Sequence, residues 1–210
     1  MFISFEGLDY CGKSTQAKLL ATQLTDAGQD VLLIREPGNT GISERIRSIV
    51  LSEDSHLCDR AELLLFEASR AQLVFEVIAP ALRDGKIVVS DRFLDSTLAY
   101  QGFGRRLPLD DVQRLNRFAS YDLLPDITFL LHLTPEEAFR RALETDKPDR
   151  IEQNDLQFFE RVMNGYLRAA IADPNRFHVL DATQTPEEIN HIIMSVIEVE
   201  DQWRQHAEVA

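Results

Sequence analysis

The segment Gly7–Ser14 constrains the fold of this chain more than any other, because it matches the pattern G-x-x-x-x-G-K-[ST]. An apolar run, Phe2–Phe5, precedes it, and apolar residues recur at helical spacing from Ala17 to Leu24 behind it. Glycines at the two ends of such a segment let the backbone bend until consecutive N–H groups point at phosphate oxygens. The sequence therefore predicts a strand, a phosphate-binding loop (P-loop) and a helix, in that order.

The residue types in this loop indicate which phosphate compound it binds. Lys13 is expected to reach the β- and γ-phosphates of ATP, and the Ser14 hydroxyl is expected to ligate Mg²⁺. The positive end of the following helix adds to the attraction for phosphate. The predicted ATP-binding residues are Gly7, Leu8, Asp9, Tyr10, Cys11, Gly12, Lys13, Ser14 and Thr15.

Short apolar runs of strand length alternate with helical patterns along the chain. The five runs are Phe2–Phe5, Val31–Ile34, Ile87–Val89, Ile127–Leu133 and Phe177–Leu180. This alternation predicts a three-layer α/β fold, with a five-stranded parallel sheet flanked by helices. A last helix is expected behind Pro186, and residues 204–210 resemble a loose tail. Without repeats or linkers, residues 1–210 are expected to form a single domain.

Ser90 and Asp91 directly follow the third apolar run, at the edge of the sheet where ligands bind. Asp91 therefore becomes a second candidate ligand for magnesium, although strands also end in aspartate for reasons of turn geometry.

Charge, hydropathy and cysteine content disfavour several classes of partner and location. A formal net charge of −13 disfavours a nucleic-acid polymer, and no apolar run approaches the ~20 residues of a membrane span. The N-terminus lacks the features of a signal peptide. Cys11 and Cys58 form no disulfide framework, which suits a reducing cytoplasm.

A regulatory GTPase is disfavoured, because the chain has no Asn-Lys-x-Asp and Asp91 is followed by Arg92-Phe93-Leu94 instead of Asp-x-x-Gly. Arginines occur instead at predicted strand and helix ends. They suit an enzyme that holds two phosphorylated substrates at once, since phosphoryl transfer depends on positioning and charge neutralisation.

The chain resembles the thymidylate kinase family over nearly its whole length. The segments that carry the resemblance are Phe5–Asp9, Gly12–Gln16, Arg35–Thr40, Phe66–Arg70, Asp91–Phe93, Ser96-Thr97, Ala99–Gly102 and Asp149–Gln153. The resemblance implies transfer of a phosphoryl group from ATP to thymidine monophosphate (dTMP), with Mg²⁺, and a homodimer. The helical segment Leu63–Phe75 could supply the dimer face, although core packing explains its apolar residues equally well.

The resemblance also implies an acceptor site. Phe66 would stack on thymine, Arg70 would bind its polar edge, and Arg92 would grip the monophosphate. Tyr100 would lie beneath the sugar and disfavour a 2′-hydroxyl. The residues expected to bind dTMP are Asp9, Pro37, Arg47, Phe66, Arg70, Arg92, Thr97, Tyr100 and Gln101.

Residues 140–153 correspond to the mobile lid of that family. One branch of the family carries an arginine inside the P-loop, and another draws it from the lid. Because this P-loop holds no arginine, the resemblance implies the second branch. Leu143 and Thr145 stand where further arginines are expected, so the catalytic cation is Arg141, Lys147 or Arg150. The residues expected to take part in catalysis are Lys13, Asp9, Arg92, Arg141 and Arg150.

Two alternatives stay open at this point. The first is a P-loop kinase for another nucleoside monophosphate or small acceptor. The second is a nucleotide-dependent switch that binds partners and does little chemistry. By the resemblance, Tyr10 and Cys11 stand where the branch of the family with a lid arginine has small residues. Cys11 is either a reactive thiol at a helix N-terminus or a buried inert one.

Overall fold

The computed structural model of the chain describes residues 1–142 and 149–209. Its centre is a parallel sheet of five strands in the order β2-β3-β1-β4-β5. The strands are β1 (Phe2–Gly7), β2 (Val31–Arg35), β3 (Ile87–Asp91), β4 (Ile127–His132) and β5 (Phe177–Asp181). Each contains most or all of one predicted apolar run, so the predicted five-stranded α/β fold is confirmed.

Helices connect the strands and cover the sheet. They are α1 (Lys13–Asp26), α2 (Gly41–Leu51), α3 (Asp59–Leu73), α4 (Ala79–Arg83), α5 (Leu94–Thr97), α6 (Leu109–Ser120), α7 (Pro135–Ala142), α8 (Leu156–Ala172) and α9 (Pro186–Val209). Two π-helical segments, Val74–Ile78 and Leu98–Gly104, continue α3 and α5.

The central strands are buried on both faces because helices cover both faces. Alternate residues of β1 enter two different cores: Phe2 packs with Val88 and Leu73, whereas Ile3 and Phe5 join the larger cluster on the other side. This alternation follows from the period of two in a strand and gives the fold its three layers.

Strand β1 has β3 and β4 as neighbours, and this order decides where the site lies. In the register of the β1–β3 pair, Phe5 lies opposite Asp91. The P-loop and the residues that follow β3 therefore emerge side by side at the carboxyl edge of the sheet, which is where ligands of such folds bind.

The π-helical segment Leu98–Gly104 packs closely against α8, and a glycine from each makes this approach possible. A Cβ atom on Gly165 would lie 2.8 Å from the Phe103 ring, and one on Gly104 would lie 2.7 Å from the Phe158 ring. Both distances are shorter than real Cβ contacts, so neither position has room for a side chain.

The last helix begins at Pro186, as predicted, and continues to Val209. The structure thus places residues 204–209, expected from the sequence to be a loose tail, in helical conformation. Across residues 1–142 and 149–209, no helix combines the length and apolar character that a bilayer span requires.

Candidate active site

The P-loop begins where β1 ends, at Gly7. This residue has φ = 138°, and a Cβ there would lie 2.5 Å from the Leu131 carbonyl oxygen, so only glycine fits. The first hydrogen bond of α1 runs from the Gln16 N–H to the Gly12 carbonyl. The N–H groups at the start of α1 thus precede the helical ladder and favour an anion. Lys13 folds back along the loop, with Nζ 2.6 Å from the Leu8 carbonyl oxygen.

Ser14 and Asp91 meet although 77 residues separate them, and the Ser14 hydroxyl donates a hydrogen bond to the Asp91 carboxylate. A hydroxyl beside a carboxylate is an oxygen donor set that suits Mg²⁺, which takes few protein ligands and completes its shell with phosphate oxygens and water. Among the described residues no group of three or more His, Cys, Asp or Glu side chains could hold a metal ion. The two predicted metal ligands therefore fit a metal that is held jointly with phosphate.

Arg92 follows β3 directly and turns back toward the P-loop. Its φ of 73° lies in the left-handed region, which is unfavourable for arginine, and its N–H donates to the Phe5 carbonyl at 2.9 Å. Through this turn Nη1 reaches the Gly7 carbonyl at 2.9 Å, and Nη2 pairs with the Asp9 carboxylate. The ion-pair partner of Arg92 is thus Asp9 of the P-loop.

Asp9 is held ionised by its neighbours. Burial acts to raise its pKa, but the charges of Arg92 and Lys13 and a 2.9 Å hydrogen bond from the Tyr100 hydroxyl lower it to about 2. The ion pair with this carboxylate holds the Arg92 side chain beside the loop, where the guanidinium is positioned to bind a second anion.

Behind Arg92 lies a buried polar group to which sequence reasoning gave no role. Tyr166 and Ser96 each lie 3.1 Å from Arg92 Nη1, and both donate toward Oε2 of Glu6. Burial, with the nearby charge of Asp95, raises the pKa of Glu6 to about 7. Glu6 belongs to the segment Phe5–Asp9, which carries the family resemblance, whereas its partners Ser96 and Tyr166 come from distant parts of the chain.

A cleft lined by polar and aromatic side chains opens beside this arginine. It brings together all nine residues that were expected to bind dTMP: Asp9, Pro37, Arg47, Phe66, Arg70, Arg92, Thr97, Tyr100 and Gln101. Six further residues complete the lining, namely Glu36, Leu51, Phe93, Ser96, Asp149 and Ile151.

Arg47 and Arg92, two of the arginines that line the cleft, are close enough to interact electrostatically. Arg47 donates to the Pro37 carbonyl at 3.0 Å, and burial together with the neighbouring cations Arg35 and Arg92 lowers its pKa. Cations that disfavour one another in this way are stabilised by an anion between them.

Arg70 lies deeper in the cleft and is 2% exposed. It binds Glu36 through Nε and Nη2, at 3.0 and 2.8 Å, and its Nη1 lies 2.9 Å from both Glu67 and Asn116. Nη2 also lies 2.9 Å from the Thr97 hydroxyl. All five N–H groups of Arg70 thus face protein acceptors.

The expected lid residues separate in the structure. Arg141 bridges the P-loop and the turn after β5, with bonds to the Tyr10 carbonyl at 3.3 Å and the Ala182 carbonyl at 2.9 Å. Arg150 instead binds the Val50 carbonyl at 2.9 Å and Glu62 at 2.7 Å. Leu143, Thr145 and Lys147 lie outside the described residues.

The two unusual loop residues are accommodated differently. Tyr10 adopts a left-handed backbone conformation with φ = 64°. Cys11 is 1% exposed, and burial raises the pKa of its thiol despite the nearby Lys13. Of the two interpretations of Cys11, the geometry favours the buried inert thiol.

A parallel sheet with a P-loop after its central strand and an arginine-lined cleft next to that loop defines the P-loop nucleotide-binding class. Comparison with known proteins narrows the class. The model of the family described as thymidylate kinase matches residues 5–193. The chain therefore belongs to the thymidylate kinase family.

Individual relatives agree along almost the entire chain. The chain is similar to the thymidylate kinase of Chlorobaculum parvum, with 46% identity over 207 residues that cover 94% of this chain and 95% of the relative. The thymidylate kinase of Prosthecochloris aestuarii shares 48% identity over 206 residues, covering 94% and 92%. The crystal structure of thymidylate kinase from Ehrlichia chaffeensis matches with a TM-score of 0.79 at 34% identity, covering 94% and 98%.

Proposed function

We propose that this chain transfers the γ-phosphoryl group of ATP to dTMP, giving dTDP and ADP, for dTTP synthesis in the cytoplasm. Family membership supports the reaction, and the position of Arg92 supports its geometry. This one guanidinium touches both the Gly7 carbonyl of the P-loop and the Asp9 carboxylate, and it also lines the acceptor cleft. An acceptor phosphate bound to Arg92 would therefore lie next to the donor phosphates.

In this proposal the protein contributes position and charge. The loop amides and Lys13 hold the donor phosphates, and Arg92 with Arg47 holds the acceptor phosphate. Phe66 and Tyr100 flank the nucleoside. Arg141, anchored to the Tyr10 carbonyl, is the described lid-region cation nearest the P-loop by its contacts, whereas Arg150 is engaged by Glu62.

Ser14 and Asp91 would hold Mg²⁺, which when bound supplies further neutralisation of phosphate charge. A homodimer is part of the proposal, since the family resemblance implies one. Within the segment Leu63–Phe75, Leu64 and Phe75 are 54% and 68% exposed, while Leu63 and Leu73 are buried in the core. Sedimentation of the chain at several concentrations tests this part.

A steady-state screen of nucleoside monophosphates with ATP and Mg²⁺ tests the proposed reaction. We expect dTMP to be the best acceptor and dUMP to be a measurable but poorer one, because a methyl group is worth only about 1–3 kcal/mol. A strong preference for AMP, CMP or shikimate would indicate a kinase for another acceptor. Slow ATP hydrolysis without acceptor-stimulated ADP release would indicate a nucleotide-dependent switch.

A further inference from the structure

The buried carboxylate of Glu62 lies behind the acceptor cleft. Glu62, on α3, is 1% exposed and receives hydrogen bonds from three residues. Arg105 approaches at 3.1 and 3.2 Å, Arg150 at 2.7 Å and the Gln101 Nε2 at 2.8 Å. Burial acts to raise the pKa of Glu62, but the hydrogen bonds and charge of Arg105, aided by Gln101 and Arg150, lower it. Glu62 is therefore ionised near neutral pH.

An ionised carboxylate fixes the orientation of the amide that it contacts. It can only accept hydrogen bonds, so Gln101 must present its NH₂ group to Glu62 and turn its oxygen elsewhere. Gln101 is 2% exposed, and its side chain forms part of the cleft wall near Thr97. In the part of the chain that the structure describes, no hydrogen bond ends on Oε1 of Gln101. That oxygen is the atom left to meet a nucleotide base.

The orientation of Gln101 matters because Arg70, the buried cation of the cleft, is already fully engaged. The N–H groups of Arg70 already face acceptors on Glu36, Glu67, Asn116 and Thr97. Arg70 must share a bond in order to contact a ligand, whereas the Gln101 oxygen need not.

The geometry points to Glu62 as a specificity-determining residue, which holds the Gln101 amide with its oxygen toward the base and so selects pyrimidines that carry an N3–H. Thymine and uracil present an N3–H donor between two carbonyl groups. Cytosine presents a lone pair at N3, which an opposing oxygen repels. A site built to pair one polar group rejects the analogue that leaves it unpaired. This inference rests on the proposed function, because it concerns the same acceptor cleft.

The test exchanges Glu62 for an amide without leaving two cations unbalanced. We compare the variant Arg105→Gln with the double variant Glu62→Gln/Arg105→Gln, in which one cation is removed together with the carboxylate. In the double variant the introduced amide oxygen faces Arg150, so its NH₂ group faces Gln101. The Gln101 amide then turns over and offers NH₂ to the base.

The measurement is kcat/KM for dTMP and dCMP at saturating ATP, together with the KM for ATP. We expect Arg105→Gln to keep the dTMP/dCMP ratio within about threefold of the unmodified chain, since Glu62 still orients Gln101. We expect the double variant to lower this ratio by about tenfold or more. The Gln101 NH₂ group would then oppose the N3–H of dTMP, whereas it would donate a hydrogen bond to the N3 lone pair of dCMP. The KM for ATP stays the same.

An unchanged ratio in a folded double variant overturns the inference. Should the double variant not fold, the single variant Glu62→Gln serves instead, with Gln101→Met as the reference that removes the amide oxygen and leaves Glu62 with both arginines. A dTMP/dCMP ratio that falls in both variants supports the inference, and a ratio that falls in neither, or in Gln101→Met alone, overturns it. Failure of the unmodified chain to phosphorylate dTMP would instead refute the proposed function, so the two failures are distinguishable.

Discussion

The hydroxyl of Tyr166 lies 3.1 Å from Nη1 of Arg92, where α8 meets the residue that follows β3. The same hydroxyl lies 2.8 Å from the Ser96 hydroxyl and 3.1 Å from Glu6. Nη1 of Arg92 is thus fixed by α8, while Asp9 of the P-loop fixes Nη2. The position of this guanidinium is therefore determined by contacts within the protein.

Removing the Tyr166 hydroxyl is expected to weaken acceptor binding. We expect Tyr166→Phe to raise the KM for dTMP by about fivefold, equivalent to roughly 1 kcal/mol for one lost hydrogen bond, with the KM for ATP unchanged. Steady-state kinetics with each substrate varied in turn checks this. Tyr121→Phe, at a side chain that is 63% exposed, is the matched control. A parallel rise in both KM values would contradict the positioning role of Tyr166.

Lys13 is predicted to be required for turnover. We expect Lys13→Ala to lower kcat by at least about 10²-fold, because a cation that neutralises the transferring group is lost, while dTMP still binds. Single-turnover kinetics and calorimetric titration with dTMP measure the two effects. Lys18→Ala, on the exposed face of the same helix, should behave like the unmodified chain. Near-normal activity of Lys13→Ala would refute the role.

Arg141 is predicted to act on the donor side. Its bonds to the Tyr10 and Ala182 carbonyls tie the P-loop to the turn after β5. We expect Arg141→Ala to raise the KM for ATP and to lower kcat, each by about tenfold, with little change in the KM for dTMP. The neighbouring Arg140, which is 61% exposed and pairs with Glu137, provides the control Arg140→Ala. Equal effects of Arg141→Ala and Arg140→Ala would contradict the assignment of Arg141 to the donor side.

The buried Glu6 carboxyl is predicted to make stability depend on pH. Its pKa is raised from 4.5 to about 7, so the folded chain holds a proton on Glu6 that the unfolded chain releases in this range. The resulting stabilisation is complete below pH 4.5 and is lost as the pH rises through about 7.

Replacing Glu6 by glutamine should remove this dependence. From pH 5 to pH 8 we expect the free energy of unfolding of the unmodified chain to fall by up to about 3 kcal/mol more than that of Glu6→Gln. Urea unfolding at both pH values measures the difference. The exposed Glu160 provides the control Glu160→Gln, which should retain the pH dependence. Identical pH profiles for Glu6→Gln and the unmodified chain would show that Glu6 does not titrate in this window.

The two cysteines are predicted to differ in reactivity. Cys58 is exposed, whereas Cys11 is buried with a raised thiol pKa. With a thiol reagent at neutral pH we expect one fast equivalent per chain and a second only after unfolding. In Cys58→Ser the fast equivalent should disappear. Rapid labelling of Cys11 in that folded variant would restore the reactive-thiol interpretation.

The sequence predicted the strands and the cleft for different reasons. Strands that are buried on both faces are continuous apolar runs, such as Ile127–Leu133, and can be read directly. Apart from Arg47, the predicted cleft residues were found because they lie in short segments that the family shares, for example Phe66–Arg70. Both signals are local in the chain.

What could not be predicted depends on contacts between distant segments. Tyr166 is 160 residues from Glu6, and no pattern in α8 marks it as a partner of that carboxylate. Arg150 has the residue type of a catalytic lid cation, and only the fold reveals its bond to Glu62, 88 residues away. Residue type indicates which chemistry is available, whereas partners are decided by the packing of helices whose relative positions the sequence pattern leaves open.

The close packing of Gly165 against Phe103 links the shape of the cleft to the sizes of two residues that do not line it. Any side chain at position 165 would displace the Phe103 ring and would also lie 3.0 Å from the Ala99 Cα atom. Tyr166 follows Gly165, and Tyr100 and Gln101 share the π-helical segment with Phe103. A side chain at position 165 is therefore expected to shift the π-helical segment against α8, and so to alter how well the cleft fits its substrate without any change in a residue that lines it.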